Sequence, residues 1–475
     1  MQTTATPPVA RETHLSPDRS EPTRYLCASA YLNPVFRSQF LAHLSSPYHT
    51  LGRAYGLDLH RIAQHCLKAE RRLIDKELVL FGLFVMCGLN FAHNPQILTA
   101  SCLIAAIVLQ VNDYVVRYKI AAGKFSRNTF APSEPLEPLP PRINDAVQHA
   151  EQEQVGNLVV YGGFLPFVGF GSSVKAWSFG VNIKDGKKTL GSMLKPKEFD
   201  LTQLQQKVSS SLALLGIAGV YEEEVAFVSG TAIRSKPSLL PNICGRPATV
   251  IPEEEVAGAE GEDDQLRRYR CLRVPAWSGE VAVALLYRFR VMGDNLYVEA
   301  NWRGLLPIAK QYQNVDNIPN KPRLMVLFSR FVLNVIIAPF YMALSPFIIL
   351  IRIINAYEGY RRRATLKASI LDNPLFNYGA DISLRERFSS DEYEKYFQYL
   401  DKEMYVKIID REFLDEIVNF LDEHNIDTSI IRERAEAILN HGVIVSGGNI
   451  NAKNVAAGQG AIAGVMKAVG SHAKG

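Results

Sequence analysis

Two apolar runs, Leu78 to Ala92 and Ile97 to Val116, lie back to back, parted by the uncharged turn Ala92-His-Asn-Pro-Gln96; a third, Phe331 to Ile351, follows far downstream. A helix needs about 20 mainly apolar residues to cross a hydrocarbon core of roughly 30 Å. Ile97–Val116 meets that length alone. Leu78–Ala92 approaches it when the helix starts at Leu73, with Arg72 and Lys76 snorkelling to the headgroups. Pro95 suits the first turn of a new helix. The pattern predicts a transmembrane helical hairpin over residues 73–116.

Basic residues frame the hairpin on both outer ends, Arg61 to Lys76 before it and Arg117 to Arg127 after it, with none in the turn. The positive-inside rule then places both ends in the cytoplasm. The third stretch, within residues 324–354, is flanked by Lys321, Arg323 and Arg330 on one side and Arg352, Arg361, Arg362, Arg363 and Lys367 on the other. A single crossing would export the more basic side. Ala-Pro-Phe at 338–340 and Ser-Pro-Phe at 345–347 repeat seven residues apart, so the prolines either kink one spanning helix or mark a re-entrant or in-plane pair that dips and returns. Charge favours the second arrangement, with the C-terminus cytoplasmic.

Elsewhere the periods are those of a water-soluble fold. Residues 1–23 are polar and Pro-rich, without the apolar core of a signal peptide, and are expected to be disordered. Residues 24–72 read as helical, with Val35, Phe36, Phe40, Leu41 and Leu44 on one face. Residues 117–156, with the run Ala131 to Pro141, read as a Pro-rich linker. From 157 the period turns to two: strands at 157–161, 177–183, 225–228, 248–251 and 269–274, then a hairpin, 280–291 and 295–302, around Met-Gly-Asp. One amphipathic helix, 199–215, interrupts them. Residues 157–322 are therefore an α+β domain on a mainly antiparallel sheet. In the C-terminal helical region, 355–440, a long helix over 391–423 carries a stripe of Phe397, Leu400, Met404, Ile408, Leu414, Ile417 and Leu421. It packs on the α+β domain or self-associates; a second helix capped at Asp427 or Thr428 reaches Leu439.

Composition adds limits. The 475 residues suffice for several domains, and a dispersed net charge of +4 gives no reason to expect nucleic acid. The six cysteines have no paired spacing, so neither a disulfide framework nor a zinc site is expected. Gly162 to Ser173 resembles a phosphate loop, but GxGxxG should open a helix, and here a strand follows. Its aromatics Phe164, Phe167 and Phe170 pack in the core or touch lipid, and clustered aromatics are usually buried. Ser172-Ser-Val-Lys175 has the SxxK spacing without its SDN and KTG partners. Glu222–Glu224 and Glu253–Glu255 read as solvated clusters, and Asp422, Glu423, His424 and Asp427 as capping groups at a helix end. No catalytic set, metal site or cofactor is expected, and the chain reads as no enzyme.

The tail, residues 441–475, is rich in Gly, Ala and Asn. Val443 and Val445 alternate, Gly447 and Gly448 break the run, and Asn449, Ile450 and Val455 follow. Such short apolar runs suit a β-arch that stacks on copies of itself, or a flexible end. Val443-Ile-Val-Ser-Gly-Gly-Asn449 resembles the RHIM-type core (V/I)-x-(V/I)-G-x-x-N of amyloid signalling motifs, with Ser446 in place of the glycine and Ile444 in place of the usual polar residue. That resemblance implies a bacterial defence-like pathway in which one tail templates another. Residues 157–171, 396–429 and 438–448 resemble a family of uncharacterised actinobacterial membrane proteins, which implies no activity.

Together these readings describe an integral protein of the inner membrane: a transmembrane hairpin, a cytoplasmic α+β domain, and both termini cytoplasmic. Its expected partners are the lipid bilayer and itself or a protein with a matching tail. The leading expectation is a non-enzymatic signalling or defence-type effector whose tail assembles or is templated. The alternative is a membrane scaffold or tether whose α+β domain binds a partner, with an inert tail.

Overall fold

The computed structural model describes residues 20–90, 96–130, 136–189, 192–252 and 265–439. Order begins earlier than the composition suggests. Ser20 Oγ accepts from Thr23 N at 3.2 Å and caps α1 (Glu21–Leu32), so Ser20 to Thr23 belong to the fold and not to a disordered start. Asn33 caps α2 (Pro34–Leu44) in the same way, through Phe36 N at 3.0 Å. Both helices pack on the first turns of α3 (Leu59–Asn90) in one core with Phe36, Phe40, Ile62 and Cys66. Arg24, buried in that lobe, is held by Asp316 at 2.7 Å and by the Phe125 carbonyl at 2.8 Å.

The hairpin is α3 and α4 (Gln96–Tyr114); the predicted turn at 92–96 falls mostly outside the described residues. From α4 the chain widens into a π-helical stretch, Val115–Ala121, then the single turn α5 (Ala122–Phe125). The expected linker also holds a helix, α6 (Pro141–Val155), which a purely Pro-rich reading overlooks. Its Ala146, Val147 and Ala150 are buried at helical spacing.

The third apolar stretch lies in one 49-residue helix, α8 (Leu324–Asp372), rather than in a pair of segments. Neither proline ends it. Pro346 deprives the Met342 carbonyl of its helical donor, and Ser345 Oγ supplies one instead at 2.7 Å. The path of α8 is set by polar contacts. Arg72 Nε donates to Asn112 Oδ1 at 3.1 Å, which marks one height near the open end of the hairpin. Just before its apolar stretch α8 is tied near that height by Arg330 to Asp113 at 2.5 Å, and by Asn334 to Gln110 at 2.8 Å. Just after it, Arg352 pairs with Glu77 at 2.5 Å and with Glu70. Between these ties Ala338 and Met342 share a core with Leu80, Cys87, Ala105 and Ala106. A straight rod of 21 residues, roughly 30 Å, laid along the hairpin would carry Arg352 to its closed end. Instead α8 crosses the hairpin, tied to α4 before its apolar stretch and to α3 after it.

The body that follows the hairpin is built on a six-stranded mixed sheet in the order β1-β5-β6-β7-β8-β2, with a separate ribbon of β3 (Lys188–Thr189) and β4 (Ser192–Met193). Its strands are β1 (Leu158–Tyr161), β2 (Ser172–Asn182), β5 (Tyr221–Ser229), β6 (Leu266–Ala276), β7 (Val281–Met292) and β8 (Asn295–Leu305). Among the described strands only β1 and β5 pair in parallel, so the fold is α+β and mainly antiparallel. The β7–β8 turn is Gly293-Asp294, with Gly293 at φ +60°. The expected strand at 248–251 is instead irregular: Thr249 offers its carbonyl to Leu158 N at 3.2 Å without forming a ladder.

One face of the sheet is covered by α7 (Leu201–Ala213), α10 (Tyr396–Glu423) and α11 (Ser429–Leu439), around Trp177, Trp302, Leu285 and Phe413. The C-terminal helices are thus part of the α+β core. The predicted stripe on α10 divides: Leu414, Ile417 and Leu421 are buried there, whereas Phe397, Leu400, Met404 and Ile408 face outward. At its far end α8 rejoins this body, with Ile370 buried among Leu158, Val160, Ala226 and Val228.

Candidate functional site: a cavity behind the Phe-Gly loop

The loop after β1 is bent by its glycines and held by one carboxylate. Gly169 and Gly171 both sit at φ +89°, and a Cβ on Gly171 would strike the Gly304 carbonyl. Their N–H groups donate to Glu386 Oε1 at 3.0 and 2.8 Å, while Glu386 Oε2 accepts from Ser383 N at 2.9 Å. Glu386 stands in the single turn α9 (Leu384–Arg387), whose Ser383 completes a capping box.

This geometry sorts the three loop aromatics. Phe167 and Phe170 are core residues, 7% and 1% exposed, with Phe167 edge-on to Phe227 at 5.1 Å and to Tyr269 at 5.3 Å. Lipid contact is thereby corrected for these two, because stacking against the second face of the sheet already covers them. Phe164 alone projects, 96% exposed.

Behind the loop lies a cavity of about 300 Å³, lined by Leu165, Phe167 and Val168, by the end of β8, and by residues from the segment 381–391. Arg303 forms part of its wall. The residue is 4% exposed, its guanidinium lies 4.8 Å from the Phe167 ring centre, and its Nε and Nη1 have no hydrogen-bond partner. Burial lowers its pKa, and the nearby Glu386 opposes that shift. Arg385, behind the same wall, is pulled down to about 10 by burial although it donates to the Glu280 carbonyl at 2.8 Å and to Ser389 Oγ at 2.7 Å. On the second sheet face Arg53 pairs with buried Glu223 at 2.9 Å and Arg273 stacks on Phe170 at 4.7 Å.

The arrangement suits binding: apolar walls with one cation that lacks a matching acceptor. Of its serine hydroxyls, those of Ser172 and Ser389 donate elsewhere. Ser172 Oγ donates to the Gly304 carbonyl at 3.4 Å, and Ser389 Oγ is bonded to Arg385 and to the Leu306 carbonyl. Lys175, the partner of Ser172 in the SxxK spacing, turns away to Asp410 at 2.9 Å.

Other sequence candidates take structural roles. Glu222 is bonded to Tyr287 and Ser209, and Glu224 pairs with Arg270 at 2.7 Å. Glu253–Glu255 lie outside the described residues. Asp422 binds Lys187 at 2.7 Å and Thr428 Oγ1 at 3.0 Å, and His424 terminates α10. The tail residues Val443, Val445, Gly447, Gly448, Asn449, Ile450 and Val455 also lie outside the described residues. Sequence reading missed Arg303 and Glu386. Ser383-x-x-Glu386 is a capping-box signature that marks the second, whereas nothing in Asn-Trp-Arg-Gly-Leu shows that the arginine is buried.

Residues 176–452 match the model of the AbeC-like domain family. The chain belongs to that family. No curated protein and no solved structure matches it. The AbeC-like domain begins within β2 and takes in α7, strands β5 to β8, α8 and the C-terminal helices, and so includes Arg303 and Glu386. The Phe-Gly loop and the α3–α4 hairpin precede it.

Proposed function

We propose that this AbeC-like protein is a non-enzymatic membrane tether: α3, α4 and α8 form its anchor, and the α+β body presents the Arg303 cavity to a partner. The observation that carries this reading is the exposure of the apolar helices. In their most apolar 18-residue windows, only 22% of the Gln96–Phe125 stretch and 17% of α8 is buried. A core helix of a soluble protein would be mostly covered. Here Phe84, Met86 and Leu89 on α3, Leu103, Ile104 and Ile107 on α4, and Phe340, Leu344 and Phe347 on α8 are all exposed. Water would not tolerate so large an apolar surface, and lipid would.

The path of α8 supports entry from one side. Both ends of its apolar stretch are tied near the open end of the hairpin, so the body and the C-terminal helices stay on the side from which the hairpin enters. Beyond the Glu77–Arg352 pair, α3 runs from Leu78 to Asn90, roughly 20 Å of helix against a hydrocarbon core of roughly 30 Å. With the charge pattern, that side is the cytoplasm.

The test is extraction of membranes from cells making the full chain. The protein is expected to sediment after alkaline carbonate, and Phe340→Glu with Phe347→Glu is expected to release a larger share. Wild-type protein in the supernatant would sink the reading. A second reading, the tail-driven effector, draws support from the resemblance of Val443–Asn449 to the RHIM-type core. Its test is relief of growth inhibition on removing His441–Gly475.

A further inference from the structure

Where the hairpin meets the helical lobe there is a larger and more polar cavity, of about 490 Å³. Its wall carries the guanidinium groups of Arg37, Arg72 and Arg117 against a single carboxylate, Asp113. That carboxylate is already shared by Arg117 at 2.6 Å and Arg330 at 2.5 Å. Arg37 is held by Glu70 at 2.7 Å and by the Ala30 carbonyl at 2.9 Å. Arg72 differs from both, because its one protein contact is Nε to the neutral Asn112 amide at 3.1 Å. Among the described residues its two terminal nitrogens have no hydrogen-bond acceptor and form no ion pair. Asn314 and Asn317 line the opposite side as neutral hydrogen-bonding groups.

Three features point to a ligand of one kind. The cavity has an excess of positive charge, and a guanidinium binds phosphate oxygens through paired N–H groups. It lies at the Arg72–Asn112 height, where the helices leave their apolar segments, and that is the depth of lipid phosphates around an inserted hairpin. Leu73, Val116 and Ile318 add apolar wall beside the arginines, suited to a glycerol backbone and the first carbons of acyl chains. The π-helical stretch contributes as well, since Arg117 and Val116 come from its widened turn.

We infer that this cavity holds the phosphodiester headgroup of an anionic glycerophospholipid, with Arg72 as its main contact. The inference rests on the membrane-anchored reading. It concerns which lipid is bound and where, whereas carbonate extraction reports only on the anchor.

The experiment is thermal unfolding of the full chain in a neutral maltoside detergent, titrated separately with phosphatidylglycerol, phosphatidylcholine and glycerol 3-phosphate. Phosphatidylglycerol is expected to raise the unfolding temperature saturably and phosphatidylcholine to leave it unchanged. Arg72→Gln is expected to weaken the phosphatidylglycerol response about ten-fold, and Arg72→Lys to weaken it less, since the charge remains and the planar fork is lost. Equal responses to the two lipids, or an unaltered response in Arg72→Gln, would overturn the site. Stabilisation by glycerol 3-phosphate at the same concentrations would assign the cavity to a soluble phosphate and overturn the lipid. A Gln variant that unfolds without ligand would be replaced by Arg72→Lys and Asn112→Asp, the latter introducing a carboxylate that competes for Arg72. A chain released by carbonate that still binds phosphatidylglycerol through Arg72 would remove the anchor and keep the site.

Discussion

Strand β7 and helix α8 are both dense in branched and aromatic apolar residues, yet the fold treats them oppositely. In β7 every residue from Val281 to Tyr287 is buried, whereas the large side chains of α8 mostly face outward. The difference lies in where each element finds partners for its backbone. A strand must lend its N–H and C=O groups to neighbours, so β7 is flanked by β6 and β8 before either of its faces is covered. A helix satisfies its own backbone, and α8 therefore needs no cover from protein where lipid serves as solvent.

Truncation on the two elements' faces should separate them most sharply. Phe413 packs against Tyr287 of β7 at 4.9 Å between ring centres and is fully buried, so Phe413→Ala is expected to cost about 3–4 kcal/mol. Phe340→Ala on α8, 66% exposed, is expected to change stability in detergent by less than about 0.5 kcal/mol. Denaturant unfolding followed by tryptophan fluorescence measures both. An equal cost at the two sites would mean that protein, such as a second copy, covers α8.

A smaller effect is expected from the ion pair that joins the helical lobe to the chain before α8. Burial raises the pKa of Asp316, but hydrogen bonds and charge from Arg24 outweigh it and hold the carboxyl below its ordinary value. The folded state thus binds this proton less readily than the unfolded chain, and the stability it contributes is present at neutral pH. That contribution fades as the pH falls below about 4 towards the depressed folded value. Asp316→Asn is expected to cost about 2 kcal/mol at pH 7, less than the loss of a wholly buried partner because Asp316 is partly exposed and Glu21 still faces Arg24, and to flatten the acid limb of the stability profile. A profile identical to wild type would show the pair to be inert. Smaller again, Ser345→Ala removes the donor to the Met342 carbonyl and is expected to cost about 1 kcal/mol, read as a lower unfolding temperature in detergent; no change would mean that the carbonyl finds another donor.

Much of the fold was legible from periodicity. The hairpin helices, α7, β7, β8 and α10 stand where the apolar spacing puts them, because a buried face repeats every 3.6 or every 2 residues. Periodicity failed where burial comes from neighbours distant in sequence. On α10, Phe397 to Ile408 and Leu414 to Leu421 read as one stripe, and only the second half meets the sheet. In the Phe-Gly loop, two of three aromatics are interior because Glu386, more than 200 residues away, bends the loop onto the sheet.

By itself, then, the sequence determined the apolar helices, the change to a period of two at 157, and the basic flanks of the apolar hairpin. These are properties of short windows, in which side-chain spacing and backbone propensity decide the outcome. Only the tertiary structure decided that α8 crosses the hairpin from α4 to α3, that Arg303 lies buried with its Nε and Nη1 unbonded, and that Arg72 lines a polar cavity without an ion pair among the described residues. Each depends on whether a carboxylate or carbonyl from a remote segment arrives within hydrogen-bond reach, and composition carries no record of that distance.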